Sequence, residues 1–272
     1  MEKILYISDL DGTLLRKDQT LSPFTAKTIC ELTEKGLLFS YATARSYATS
    51  SKVTAGIPEN LPVITFNGTF IMETGTGKRL VSNLFEVKEA KRILDILTAN
   101  DVYPIVNAFF DGEEKFSYLP EKTTRGMDIF IKERWNDVRR HPVVSSDMLY
   151  AGEVFHFACM DEEEKLRPLY EAFREEFPTV LYRDMYSGEM WLELHPKGAT
   201  KAQAMLALKK LLGCDRVICF GDGLNDIPMF EAADECYAVA GAEDALKRIA
   251  TGVIESNEND GVAKWLSANA VF

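Results

Sequence analysis

Residues 3–13, KILYISDLDGT, decide the fold. The apolar run 3–8 is short and stops at an acidic Asp-Gly turn, which predicts a buried strand. Downstream, Ser22 stands as an N-cap, Pro23 at the first helical position and Gly36 just past the end, with apolar Phe24, Ile29 and Leu32 between them. That punctuation predicts a helix. A second buried strand follows at 37–42 (LLFSYA), then a helix near 47–55 and a third strand at 62–66 (PVITF). Strand, helix and strand joined by short connections predict a parallel pair with a right-handed crossover. The first 66 residues therefore read as one half of a doubly wound sheet.

The pattern then changes. Segments 69–73 and 78–81 flank turn chemistry at Gly75 and Gly77, a hairpin signal. From 84 to 188 the order becomes helix (87–100), strand (103–109), strand (115–119), helix (123–133), strand (154–160), helix (163–177) and strand (180–182). The strands joined through Asp111-Gly112 must be antiparallel, so this stretch reads as an α+β module distinct from the parallel half. The parallel pattern resumes with a helix at 200–212, a strand at 216–220 (RVICF), a helix near 227–232 and a strand at 237–239. The expected fold class is α/β: a doubly wound parallel-sheet core from 1–83 and 189–272, with an inserted α+β cap domain at 84–188.

Composition bounds the partners. The chain has 272 residues, and its 42 acidic against 31 basic residues leave a net charge of −11. Such a charge repels nucleic acid and anionic membranes, so neither is expected as a partner, and an anionic ligand must be held by local positive charge. With 46% hydrophobic residues there is ample material for a core. Five scattered cysteines without a C-x-x-C pair read as buried free thiols in a reducing compartment. The amino terminus runs from Glu2 and Lys3 straight into Asp9 and Asp11, unlike a signal peptide, and no stretch is long enough to span a bilayer. A cytoplasmic location is expected.

In an open parallel sheet the ligand crevice lies at the carboxyl ends of the strands. There the sequence places Asp9, Asp11, Gly12 and Thr13 after the first strand, Thr43, Ala44, Arg45 and Ser46 after the second, and Asn67-Gly68 after the third. Gly221-Asp222-Gly223-Leu224-Asn225-Asp226 follows the strand at 216–220. Taken singly, each is weak: an Asp-Gly pair is usually a turn, and 221–226 could be a capped helix entry. Four carboxylates converging on one crevice would repel one another unless a cation sat among them. Hard oxygen donors suit Mg²⁺, which in turn suits phosphate.

These loops resemble those of the haloacid dehalogenase-like (HAD) superfamily hydrolases, specifically the Cof-type class IIB phosphatases. The D-x-D-G-T at 9–13, T-x-R at 43–45, the lysine segment Gly198-Ala199-Thr200-Lys201 and G-D-G-x-N-D at 221–226 stand in that family's order, across essentially the whole chain. The resemblance implies Asp9 as the nucleophile that forms an aspartyl-phosphate, and Asp11 as the acid and base for leaving alkoxide and water. Phosphorylated ATPases of the superfamily carry Thr at that second position, so Asp11 points to a phosphatase. Mg²⁺ would be held by Asp9, the Asp11 backbone carbonyl and Asp222, with Asn225 and Asp226 as outer ligands or orienting groups. Thr43 and Lys201 would bind the phosphoryl oxygens, Arg45 and Asn225 the substrate, and Asn67 would line the crevice floor. Lys197 competes for the lysine role, and Lys201 is preferred for its register at the start of a helix. One departure is Ala44, where the family commonly has Gly.

The remaining candidates read as structural. His141, His156 and His195 lack metal-ligand spacing; His156 reads as a core histidine, while His195 could line the crevice. The basic stretch 132–141 reads as a solvated face of the cap, and Trp135, Trp191 and Trp265 as core or interface residues, with Trp191 on a strand returning to the core and within reach of substrate. The cap is expected to close over the crevice and, through loops near 111–118 or 183–187, to select the substrate. The expected activity is Mg²⁺-dependent hydrolysis of a small phosphorylated metabolite, such as a sugar phosphate or a phosphorylated cofactor. The alternatives are a phosphotransferase or phosphomutase of the same fold, or a non-catalytic phosphate and metal sensor.

Overall fold

In the computed structural model, which describes residues 2–184 and 188–271, the chain builds a first set of elements in the expected order. These are β1 (Ile4–Ser8), α1 (Pro23–Glu34), β2 (Leu38–Tyr41), α2 (Tyr47–Val53), β3 (Val63–Thr65), β4 (Phe70–Met72) and β5 (Arg79–Ser82). Next come α3 (Val87–Ala99), β6 (Ile105–Phe110), β7 (Glu113–Tyr118), α4 (Arg125–Glu133), β8 (Arg140–Pro142), β9 (Glu153–Asp161), α5 (Glu163–Phe173), β10 (Thr179–Arg183) and β11 (Met190–Leu194). The chain ends with α6 (Lys201–Leu212), β12 (Arg216–Gly221), α7 (Ile227–Ala232), β13 (Glu235–Val239), α8 (Asp244–Ile249), β14 (Gly252–Ile254) and α9 (Gly261–Asn269). They divide into two compact units, one from residues 1–82 and 199–272, the other from 83–198.

The first unit is built on a parallel sheet of order β14-β13-β12-β1-β2. Its interior strand β1 is buried at every position, as a strand covered on both faces must be. Leu5 and Ile7 are fully enclosed, and each contributes about 2–3 kcal/mol of apolar burial. The α1 helix starts where its punctuation says: the Ser22 hydroxyl accepts a hydrogen bond from the Thr25 amide and Pro23 follows at the first turn. Ser8 pairs in register with Phe220 of β12 and with Tyr41 of β2, so all three strands end level. The loops that carry the candidate residues therefore begin side by side.

The third strand departs from its expected place. β3 meets β2 through one parallel bridge, Ala42 to Ile64, and otherwise pairs antiparallel with β4, which pairs with β5 in a separate three-stranded sheet. The reason is the turn after it: Phe66, Asn67 and Gly68 all adopt positive φ (48°, 52° and 100°), which reverses the chain at once into β4. The hairpin expected around Gly75 and Gly77 is the β4–β5 pair.

The second unit carries a six-stranded sheet of order β10-β11-β9-β6-β7-β8, antiparallel except where β8 joins β7. Helices α3 and α5 bury Ile93, Leu97, Leu166 and Phe173 against one face of the sheet through Val106, Phe157 and Leu192. Met127 and Ile131 of α4 pack with Ile105, Phe116 and Met160 of the other.

Three expectations are corrected here. The boundary set at 188/189 falls instead at 198/199, because β11 hydrogen-bonds to both β9 and β10 and so belongs to the second sheet. Trp191 lies on that strand, edge-on to Phe130 at 5.9 Å between ring centres, rather than on a strand returning to the first unit. The basic stretch 132–141 is also more than a solvated face: just before β8 the Arg139 guanidinium bonds Asp137 and Glu114, and within β8 the His141 Nδ1 lies 2.9 Å from the Ser117 hydroxyl. All five cysteines are free thiols. Among the described residues no helix is long and apolar enough to cross a membrane. Of the candidate selectivity loop 183–187, residues 185–187 lie outside the described residues.

Candidate active site

At the carboxyl end of the first sheet, the site grows from β1. Asp9 follows Ser8 directly and is buried, its amide bonded to the Phe220 carbonyl at 2.9 Å. Opposite it, Thr200 caps α6 by accepting from the Gln203 amide, which directs Lys201 inward from the first turn. The Lys201 ammonium lies 2.5 Å from Asp9 Oδ1 and 2.7 Å from Asp226 Oδ1, with all three side chains enclosed. Gly68 makes this approach possible: a Cβ there would come within 2.1 Å of the Thr200 carbonyl oxygen. Lys197 belongs to the second unit, where it pairs on the surface with Glu89 and Glu176.

Asp226 organises the loop after β12. Its Oδ2 accepts from the amides of Asp222 (3.0 Å) and Gly223 (3.1 Å), while its Oδ1 takes Lys201. Gly221 is required beneath it, since a Cβ would lie 2.6 Å from the same Oδ2. Asp222 is held from the first loop, its Oδ1 accepting from the Thr13 hydroxyl at 3.0 Å. Gly12 has φ +82°, and a Cβ on it would sit 2.1 Å from Asp222 Oδ2. The Gly-Thr of the first motif thus exists to receive a carboxylate more than two hundred residues away. Thr13 is the residue to which the sequence assigns no role, although it stands inside the motif.

Gly12→Ala is expected to cost about 1–2 kcal/mol from left-handed backbone alone, and more from the collision with Asp222. A urea unfolding curve checks it: a midpoint equal to that of the unaltered protein would show that the turn yields without strain.

The carboxylates of Asp9, Asp222 and Asp226 each offer an oxygen within 4.8 Å of the others. The remaining candidates surround this cluster. Asp11 turns its side chain to Arg45, which grips it with two bonds of 2.7 and 2.5 Å and also donates to the Gln19 side-chain oxygen at 2.8 Å. Thr43 is fully buried; its hydroxyl oxygen accepts from the Arg45 amide at 3.1 Å, leaving the hydroxyl proton to donate elsewhere. The Asn67 amide bonds the Thr43 carbonyl, and the Asn225 side chain donates to Asn67 Oδ1 at 3.3 Å. Ala44 is exposed and is not among the residues of positive φ, so the loop makes no demand for Gly at that position.

Electrostatics follow from this enclosure. Burial raises the Asp9 carboxyl well above its ordinary range, opposed by the Lys201 ammonium and reinforced by Asp226 and Asp222. Asp222 is pushed up to about 6 by burial and by the charge of Asp226, against the hydrogen bond from Thr13. Burial would lower Lys201, but the charges and hydrogen bonds of Asp226 and Asp9 outweigh it and raise the ammonium above its usual value. The cluster carries three carboxylates against one ammonium, and its donors are hard oxygens. That chemistry fits a divalent cation of the Mg²⁺ type.

The family model of haloacid dehalogenase-like hydrolases matches residues 6–266. This chain belongs to that family. Among curated HAD-like relatives, a 5-amino-6-(5-phospho-D-ribitylamino)uracil phosphatase of Bacillus subtilis is 28% identical over 95% of this chain and 94% of its own. A pyridoxal phosphate phosphatase of Escherichia coli is 22% identical over 97% of each. In fold, the hydrolase matches a crystal structure of a Thermotoga maritima protein with TM-score 0.79 and 22% identity, covering 100% of this chain and 99% of the other. A haloacid dehalogenase-like hydrolase from B. subtilis gives TM-score 0.78 at 22% identity over 98% and 99%. The resemblance drawn from the loop motifs, the α/β fold class and the reading of a phosphatase all stand.

Proposed function

We propose that this HAD-like hydrolase releases inorganic phosphate from small phosphomonoesters with Mg²⁺, through an aspartyl-phosphate on Asp9. The observation that carries this reading is the convergence of Asp9, Lys201, Asp222 and Asp226, from three separate segments, on one enclosed point. Asp9 would take the phosphoryl group in line, its carboxylate held by Lys201, whose charge also offsets that of the phosphoryl oxygens. Asp9, Asp222 and the Asp11 backbone carbonyl would hold the ion, with Asp226 orienting Asp222 through two backbone amides. When bound, Mg²⁺ supplies positive charge that offsets the clustered carboxylates and the phosphate.

Asp11 would protonate the leaving alkoxide and then accept a proton from the water that hydrolyses the acyl phosphate. For that it must leave Arg45. An arriving phosphate dianion competes for the same guanidinium fork, so substrate binding would itself free Asp11. Thr43 would donate its hydroxyl proton to a phosphoryl oxygen, and Asn67 and Asn225 would line the crevice beside it. The second unit is read as the source of substrate selectivity. The relatives named for a phosphoribitylamino-uracil and for pyridoxal phosphate make phosphorylated cofactors and sugar phosphates the first compounds to try.

The test is a panel of metabolite phosphates assayed for released phosphate. Release is expected to vanish with EDTA and to return with Mg²⁺. Turnover unaffected by chelation would remove the metal from the reading, transfer of phosphate to a second substrate instead of water would make the enzyme a phosphotransferase, and binding without turnover a sensor.

A further inference from the structure

In the second unit, two histidines that lie 39 positions apart in the sequence are brought together with a buried carboxylate. We propose that His156, Glu193 and His195 form a binding site for a transition-metal dication of the Zn²⁺ class. The sheet register makes the cluster: Glu193 of β11 pairs with Ala158 of β9 and Leu194 with Phe157, so His195 falls one step further, beside His156, with all three side chains on one face. The His156 and His195 rings stand 4.8 Å apart between centres. Glu193 Oε1 is 3.7 Å from His156 Nε2, and its Oε2 is 3.8 Å from His195 Nε2. One ligand atom from each of the three lies within 4.8 Å of the others.

These distances suit a dication after a small contraction. Zinc–nitrogen and zinc–oxygen bonds of 2.0–2.1 Å imply ligand–ligand edges of about 3.3 Å; each imidazole nitrogen stands a few tenths of an ångström beyond that from its own Glu193 oxygen, so the carboxylate would ligate through both oxygens or turn to offer one. The groups around the cluster are those a metal site needs. The His156 Nδ1 lies 2.9 Å from the Asn107 side-chain Nδ2, and Nε2 faces Glu193; for Nε2 to ligate a metal the Asn107 amide must turn over, so that Nδ1–H donates to its Oδ1 and Nε2 keeps the lone pair. The Tyr182 hydroxyl donates to Glu193 Oε1 at 3.3 Å. Outer partners on both a histidine and the carboxylate orient the ligands and tune their basicity. Two imidazoles and one carboxylate select Zn²⁺, Co²⁺ or Ni²⁺ over Mg²⁺, leave a fourth position for water or a ligand, and would staple β11 to β9. The donor set sets this site apart from the all-oxygen cluster around Asp9.

Co²⁺ added to the metal-stripped protein, with Mg²⁺ in excess, reads the site through its visible absorption. One equivalent should bind with the intense bands of tetrahedral coordination, Zn²⁺ should displace it, and both should persist in Asp222→Asn. Glu193→Gln and His195→Gln should abolish the bands, and Asn107→Ala should weaken binding by about 10- to 100-fold. Because those variants could fail to fold, the unaltered protein supplies a second reading. The chain has three histidines, and on adding Zn²⁺ the Nε2 resonances of His156 and His195 should shift while those of His141 stay in place. Weak octahedral bands, absorption lost in Asp222→Asn but kept in His195→Gln, or histidine resonances indifferent to Zn²⁺ would each overturn the proposal.

Discussion

Asp9→Asn should lower kcat for phosphomonoester hydrolysis by roughly 10⁴-fold or more, because in the proposed mechanism it removes the carboxylate that accepts the phosphoryl group while leaving the rest of the site in place. An amide of the same size still fits beside Lys201 and keeps the carbonyl oxygen that faces the ammonium. The fold should therefore survive, and KM, which reports the charges from Lys201 and the Arg45 loop, should move far less than kcat. The measurement is steady-state phosphate release together with an acid-quench search for phosphorylated protein, which should be present in the unaltered enzyme and absent from the variant. Turnover within tenfold of the original would remove Asp9 from the nucleophile's role.

Lys201→Met should damage both activity and stability. The ammonium is the shared partner of two buried carboxylates, at 2.5 Å from Asp9 and 2.7 Å from Asp226, and methionine fills its volume without its charge. Breaking a buried pair by removing one partner typically costs about 3–5 kcal/mol, because the remaining charge is left uncompensated. Here two carboxylates are left, and Asp9 is already raised by its burial with Lys201 present. The sign of the pH dependence follows. In the variant the Asp9 carboxyl, raised by burial even with Lys201 present, has a folded pKa above its unfolded one, so the folded state binds more protons and stability is regained as pH falls. Urea unfolding of the Mg²⁺-free proteins should show a large gap between variant and parent at neutral pH that narrows in mild acid. A gap independent of pH would mean that lost packing, not stranded charge, is responsible.

Much of this site is legible in the amino-acid order because its parts are local. The motif 9–13 follows a short, mostly apolar strand that is buried throughout, and the loop after β12 follows a similar run. Capping at Ser22 and Thr200 is likewise written in adjacent residues. Placing β11 in the first unit fails because its alternation, MWLEL, specifies a strand but not a partner; the partners β9 and β10 are supplied by the other strands of the sheet. The elements after β13, namely α8, β14 and α9, have no counterpart among the sequence expectations, and α9 is where Trp265 packs against Tyr6, Phe220 and Tyr237.

Some arrangements have no local signature at all. The grip of Arg45 on Asp11 joins two loops, each of which on its own points its side chain at substrate. The histidines at 156 and 195 look unrelated in sequence because metal-ligand spacing is judged along the chain, whereas sheet register sets them side by side. From the amino-acid order alone come the element sequence, the acidic loops and the family they resemble, since strand burial, caps and turns act over a few neighbouring residues. Tertiary structure alone decides which carboxylates share Lys201, where the second unit ends, and that a His-Glu-His cluster exists, because those depend on pairings between segments that the chain brings together only on folding.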